Sequence, residues 1–393
     1  MPYFGQTRGQ FTYCIRLIRM RTAPALLAII VTVPSHAQFT LQTSNTTADL
    51  RGIHNVGNGV AWASGTHGTV LRTEDGGYLW QSCSVPLDAA KLDFRGIQAF
   101  DANTAIVMSS GKGDLSRLYK TTDGCHSWKL IFTNPDEDGF LDAVHFASDG
   151  KLYVLGDPVK NTFALFLSDN RGDTWFAAGE KGRDAHTSEG GFAASNTSFA
   201  SYGPFLLFGT GGSEHAHVYW TGTKCSPPPG HPNGPAIFNC EVTWNNSEVP
   251  VAGGTPGSGV FSLAAKAMAA KSGAPTATVV AVGGAYDHPD QATQNAAFSI
   301  DGGQHWTNST TPPHGYRSAV AYDSATKTWI AVGPNGTDIS TDDGHNWRPI
   351  HPNAALHEAP DADRNWNALS LPYVVGPHGR IGKLDPAALT PAH

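Results

Sequence analysis

The sequence predicts an all-β protein: a seven-bladed β-propeller of four-stranded antiparallel blades, closed by an N-terminal strand. Three observations carry this expectation. An eight-residue box, Ser/Thr-x-Asp-x-Gly-x-x-Trp, recurs five times along the chain. A pair of short apolar segments split by a turn recurs seven times. The composition, 44 Gly and 26 Pro against only 15% charged residues, suits a chain of strands and turns better than a helical one.

The boxes are Thr73–Trp80 (TEDGGYLW), Thr121–Trp128 (TTDGCHSW), Ser168–Trp175 (SDNRGDTW), Ser299–Trp306 (SIDGGQHW) and Ser340–Trp347 (STDDGHNW). The second carries Cys125 in place of Gly, and the third Asn170 in place of Asp. Strand pairs such as LRGIHNVGNGVAWASG, FRGIQAFDANTAIVMSSG, LDAVHFASDGKLYVLG and YRSAVAYDSATKTWIAVG precede boxes, and WNALSLPYVVG closes the series. Each unit reads as four short strands, for instance Phe94–Phe100, Thr104–Ser109, Arg117–Thr121 and Trp128–Phe132. The stretch Ser262–Lys271 (SLAAKAMAAK) would be helix on propensity, but its place in the repeat makes it a strand. In the fourth copy an insertion at about 222–243 interrupts the box, and the seventh copy ends before a box can form. The missing outer strand is assigned to Gln38–Ser44, which would pair onto the last blade and leave no open edge.

The box is explained by folding. Asp75, Asp123, Asn170, Asp301 and Asp342 are placed to accept backbone N–H groups of a turn, Gly permits the positive φ it needs, and Trp80, Trp128, Trp175, Trp306 and Trp347 pack between neighbouring sheets. A catalytic group would be singular, whereas this motif recurs around the ring.

Residues 1–37 read as leader and signal peptide, and 38–393 as a single propeller. Arg16, Arg19 and Arg21 precede an apolar run from Ala23 to Val33, and Ser35-His36-Ala37 supplies a small-x-small cleavage site near Ala37. Met1 and Met20 both remain open as the start. A secreted or periplasmic protein is expected, with no membrane span after signal removal. Four cysteines follow the leader, an even number that favours disulfides. Cys225 and Cys240 bracket the Pro-rich insertion and would staple it, leaving Cys83 with Cys125; four free thiols are the alternative. With a formal net charge of −7 and no long basic run, nucleic acid is not an expected partner.

Function must sit in what does not repeat. Arg51, Arg95 and Arg317 hold matching places at the start of first strands, so they could converge on one mouth of the channel and bind a carboxylate or an acidic partner segment. Pairing with Asp49 or Asp93 is the competing reading. The irregular stretch 181–199 carries Arg183, Asp184, His186 and Glu189 as loop candidates. His215 and His217 are two apart on a strand, a spacing that could bind one metal, with His231, Asp287 and His288 as further ligands. Gly-x-Ser-x-Gly and phosphate-binding Gly loops are missing, and no cofactor is expected.

The boxes resemble the Asp-box (BNR) repeats of sialidases, sortilin-like domains and some glycoside hydrolases. With the signal peptide, the seven short blades and the Asp-Phe-Arg-Gly-Ile strand at 93–97, the chain looks most like the photosystem II stability/assembly factor-like propellers, over roughly Gln38 to Leu384. The resemblance implies a monomeric, non-catalytic propeller that binds a protein or peptide. The alternative is a glycan-active enzyme, a glycoside hydrolase or sialidase. Sialidases carry a Phe-Arg-Ile-Pro signature, and Phe94–Ile97 is only a near miss that recurs at Leu50.

Overall fold

The computed structural model describes residues 1–3, 5, 38–179, 181–226, 239–268 and 276–389. Most of the leader with Met20, the tip of the insertion with His231, and the end of the 262–271 stretch lie outside the described residues. From residue 38 the chain forms seven four-stranded antiparallel sheets, six of them with their strands side by side in chain order. Among the described residues, helix is limited to four short 3-10 turns.

The blades are laid down in sequence. Blade 1 holds Leu50–Gly57, Val60–Gly65, Thr69–Thr73 and Gln81–Ser82; blade 2 holds Phe94–Ala99, Ala105–Ser109, Arg117–Thr121 and Lys129–Thr133. Blade 3 holds Leu141–Phe146, Leu152–Val159, Thr162–Ser168 and Phe176–Ala177. Blade 4 holds Phe199–Tyr202, Phe205–Gly209 and the long hairpin Ala216–Ser226/Asn239–Val249, and blade 5 holds Ser258–Met268, Thr276–Ala285, Ala296–Ser299 and Thr307–Asn308. The helix-prone stretch is therefore strand through Met268, because its ladder with Thr276–Ala285 outweighs the alanine propensity. Blade 6 holds Ala319–Asp323, Thr328–Gly333, Gly336–Ser340 and Arg348–Ile350. Blade 7 has Ala368–Ser370, Tyr373–Val375 and Ile381–Leu384, and takes its outer strand, Phe39–Gln42, from the other end of the chain. The closing register runs from Phe39 opposite Leu384 to Gln42 opposite Ile381.

The core is divided among the seams between blades. Seven separate apolar clusters form, one for each pair of neighbouring blades. Box tryptophans fill five of them: Trp80 and Trp347 are buried, while Trp128, Trp175 and Trp306 are half-buried against their clusters. At the seam of blades 3 and 4 Trp244 takes that place, and at the seam of blades 6 and 7 the closing strand supplies Phe39, with its ring 5.8 Å from that of Trp366. Gln42 also reaches blade 1, where its Oε1 accepts from Trp80 Nε1 at 2.9 Å.

Each box closes the same turn. In the last copy Ser340 Oγ donates to Asp342 Oδ1 (2.8 Å) and accepts from the Gly344 N–H (3.0 Å), while Asp342 Oδ1 takes the Asn346 N–H at 2.9 Å. Burial pushes the Asp342 carboxyl up, but the Asn346 side-chain and backbone donors and Ser340 outweigh it and leave the group below its ordinary value. Asp343 (φ 60°) and Gly344 (φ 85°) both lie in the left-handed region. Where Cys125 replaces the glycine it keeps that conformation at φ 68° and is disulfide-bonded to Cys83, covalently joining blade 2 to the outer edge of blade 1. Cys225 and Cys240 stand directly opposite each other in the blade 4 ladder, and their side chains lie outside the described residues.

Candidate functional site

The first strands of blades 1, 2 and 3 each carry a bulge at one position, Arg51, Arg95 and Asp142. A bulge turns a side chain out of the alternation. Here Arg51 and Arg95 meet over one carboxylate: Arg95 Nε lies 2.8 Å from Asp93 Oδ2, and Arg51 Nε lies 3.4 Å from Asp93 Oδ1. All three side chains are between a quarter and a third exposed. Two fixed positive charges thus share one negative charge at the mouth of the ring.

Arg317 does not join them. It is fully buried, donating through Nε to Asp338 Oδ2 at 2.8 Å, again to that oxygen through Nη2, and through Nη1 to the Tyr316 carbonyl (2.7 Å) and Asn335 Oδ1 (2.6 Å). His314 Nδ1 sits 2.9 Å from the other Asp338 oxygen. Burial raises the Asp338 carboxyl, yet His314 and Arg317 together hold it below its ordinary value. This knot ties the turn after the second strand of blade 6 to the loop entering it. The grouping of three arginines expected from the repeat therefore divides into a partly exposed pair and a structural member.

Sequence reasoning missed a carboxyl pair. Asp142 takes the ring position that Arg51 and Arg95 hold in blades 1 and 2, and Asp157 stands at a bulge in the next strand. Asp142 is buried with Oδ2 unpartnered among the described residues. Gly191 lies against it so closely that a Cβ there would collide with the carboxylate, while the Gly191 N–H donates to Asp157 Oδ1 at 2.8 Å. Burial pushes the Asp142 carboxyl well up, the Asp157 charge adds to the rise, and Arg95 opposes it. Asp157 is raised by burial, against the Gly191 hydrogen bond. The available signal was an acidic residue at a position elsewhere basic.

The 181–199 loop runs across the mouth and then into the channel. Arg183 is buried, donating through Nε to the Phe163 carbonyl at 3.1 Å and standing over the Trp244 ring. Asp184 stays at the surface, accepting from Thr162 Oγ1 at 3.3 Å. Phe192 stacks on Phe261 with ring centres 3.7 Å apart. Farther in, Ser195 Oγ donates to the Ser318 carbonyl (2.8 Å), Asn196 Oδ1 accepts from the Val144 N–H (2.8 Å), and Thr197 meets Ser262 Oγ at 2.7 Å. These bonds reach blades 3, 5 and 6, so the segment plugs the channel. Beyond the plug lies a cavity of about 650 Å³ lined by His54, Gln98, His145 and Ser201 among others. Burial pushes both imidazoles down to about 4, so they are neutral at neutral pH.

The expected pairing of His215 with His217 does not form. His215 precedes the strand, is about half exposed, and faces Glu248 of the neighbouring strand at 3.1 Å. His217 points inward, its Nδ1 3.0 Å from Glu189 Oε1, and its ring stacks on His186 with centres 4.1 Å apart. Asp287 and His288 belong to the turn after the second strand of blade 5. Glu189 is the hub of this cluster. Tyr219 Oη (2.8 Å), the His186 N–H (2.7 Å) and Thr210 Oγ1 also donate to it. Burial raises its carboxyl, but His217, Thr210, His186 and Tyr219 bring it below its ordinary value. The two sequence candidates, loop and strand histidine, are thus joined in space by a contact that neither segment announces alone.

Seven four-stranded antiparallel blades laid down in sequence make the chain a seven-bladed β-propeller. No family model and no curated protein matches it. Among solved structures, one of YCF48 bound to D1 peptide aligns over 89% of this chain and 97% of its own, with a TM-score of 0.56 at 14% identity. One of YCF48 from Cyanidioschyzon merolae covers 89% and 99%, with a TM-score of 0.48 at 17% identity. At 14% identity the likeness to the peptide-bound structure is one of fold.

Proposed function

We propose that this propeller is a non-catalytic, exported binding protein whose partner is a protein or peptide segment, held at the mouth by Arg51 and Arg95. The observation that carries this reading is the shared carboxylate. Asp93 serves two guanidiniums, so the pair keeps an excess positive charge and spare N–H donors for an acidic side chain or a chain terminus. The structural neighbour solved with a peptide supports the ligand class. The leader supports export to the periplasm or beyond, and the assembly-factor-like repeats support a role in maintaining other envelope proteins as a monomer.

The test is a pull-down from the envelope of the native cell with the unaltered chain and with R51Q/R95Q, which leaves the buried Arg317 in place. Loss of the partner from the double variant, with unchanged melting, is expected. Equal recovery from both removes the mouth from the account. One observation favours a second reading, a glycoside hydrolase: the Asp142–Asp157 pair near Arg95 resembles an acid and a base. Against it, Asp142 is sealed under Gly191 and offers substrate no access. Product release from sialosides or oligosaccharides, lost on D157N, would establish that reading and displace the first.

A further inference from the structure

Glu189, His186 and His217 bring one carboxylate and two imidazoles together between the 181–199 loop and blade 4. One ligand atom from each lies within 4.8 Å of the others. The four donors turned on the buried Glu189 carboxylate are two hydroxyls, a backbone N–H and an imidazole, none with a fixed positive charge. An ionised carboxylate only accepts, so the hydrogen between His217 Nδ1 and Glu189 Oε1 belongs to the imidazole. At 3.0 Å, that nitrogen and that oxygen are spaced so that one ion could reach both with bonds of about 2.0–2.2 Å. His186 lies against this pair, exposed, and no hydrogen bond to its ring is seen among the described residues.

We propose that His186, His217 and Glu189 bind a divalent transition-metal ion, with zinc-like preference for two imidazoles and a carboxylate. The ion takes the place of the proton between His217 Nδ1 and Glu189 Oε1, and the imidazole changes tautomer so that it carries its proton on Nε2. His186 turns a ring nitrogen to the ion as third ligand, and water completes the shell. Thr210 and Tyr219 remain on the carboxylate and fix its orientation, as outer partners do in metal sites. Glu189 directly precedes the Gly190–Gly191 strap over the mouth, and His217 stands on blade 4, so the ion would fasten the strap to the ring. This differs from the site expected from sequence, which paired His217 with His215.

The experiment is a calorimetric titration of the untagged full chain with Zn²⁺, beside a melting curve with and without the ion. Expected are one strong equivalent per chain, a raised melting temperature, and affinity weakened about tenfold or more in H186A. Because His186 is exposed, H186A keeps the ion-free melting point of the unaltered chain. H215A binds as the unaltered chain does. The proposal is overturned if the unaltered chain takes up no Zn²⁺ at millimolar concentration, if H186A binds equally well, or if H215A is the variant that loses the ion.

Discussion

Replacing Arg317 by Met removes the cation from a fully buried pair while nearly keeping its volume. Asp338 is then left as a buried carboxylate facing only His314, and Asn335 Oδ1 and the Tyr316 carbonyl lose their donor. Breaking such a pair from one side costs about 3–5 kcal/mol. Spread over roughly 350 residues at about 2.1 cal/mol/K each, that lowers the melting temperature by about 4–7 °C if the ring unfolds as one unit. The matching change at Arg51, a partly exposed residue 3.4 Å from Asp93, costs about 1 kcal/mol or less and moves the melt by about 1 °C. Differential scanning calorimetry of R317M, R51M and R317M/D338L reads the contrast. The double variant removes the stranded carboxylate along with its partner and should melt above R317M. Equal shifts for R317M and R51M, or a double variant less stable than R317M, would refute the division of the arginines into a structural member and a mouth pair.

Three further outcomes follow from the same contacts. D342A removes an acceptor of three hydrogen bonds from one box turn and should cost about 1–3 kcal/mol while leaving partner binding intact; a variant that melts normally but has lost its partner would contradict the structural role. D142N acts through pH. The folded state raises that carboxyl above its unfolded value, so the native protein binds the extra proton, and stability from this group is present in acid and declines as pH rises above about 4. D142N should therefore gain on the unaltered chain from acid to neutral pH, and a melting difference that stays flat with pH would count against the buried acid. R51Q/R95Q should also flatten the salt dependence of partner binding, measured by fluorescence anisotropy between low and physiological salt; an unchanged slope would mean the guanidiniums do not face the partner.

The ring was legible in the sequence because a repeat states its own architecture. Blade count, the box turn and the closing strand at Phe39–Gln42 all follow from self-similarity, and the alanine-rich strand at Ser258–Met268 follows only from it. The site was legible in part. Arg317 looks like Arg51 and Arg95 along the strand, yet its environment is set two strands away. Asp338 stands where blades 1 and 2 carry the uncharged Leu71 and Tyr119, and that charge draws Arg317 inward. Asp142 could have been found the same way, as an acid in an arginine column. The Glu189–His217 contact could not, because it joins a non-repeating loop to a strand in the next blade, and no spacing along the chain encodes it.

The strand from Phe39 to Gln42 has one more consequence. Its partner, Ile381–Leu384, is made after the strands of the six blades between them, so the earliest strand of the ring waits for the latest. Loop closure over such a separation is slow, and nothing local can substitute for it. A product truncated between Trp366 and Ile381 keeps an unpaired edge and an unfilled seam beside Trp366, both marks that proteases recognise. The seventh blade thereby acts as a checkpoint: only a chain read through to it leaves the ring without an open edge.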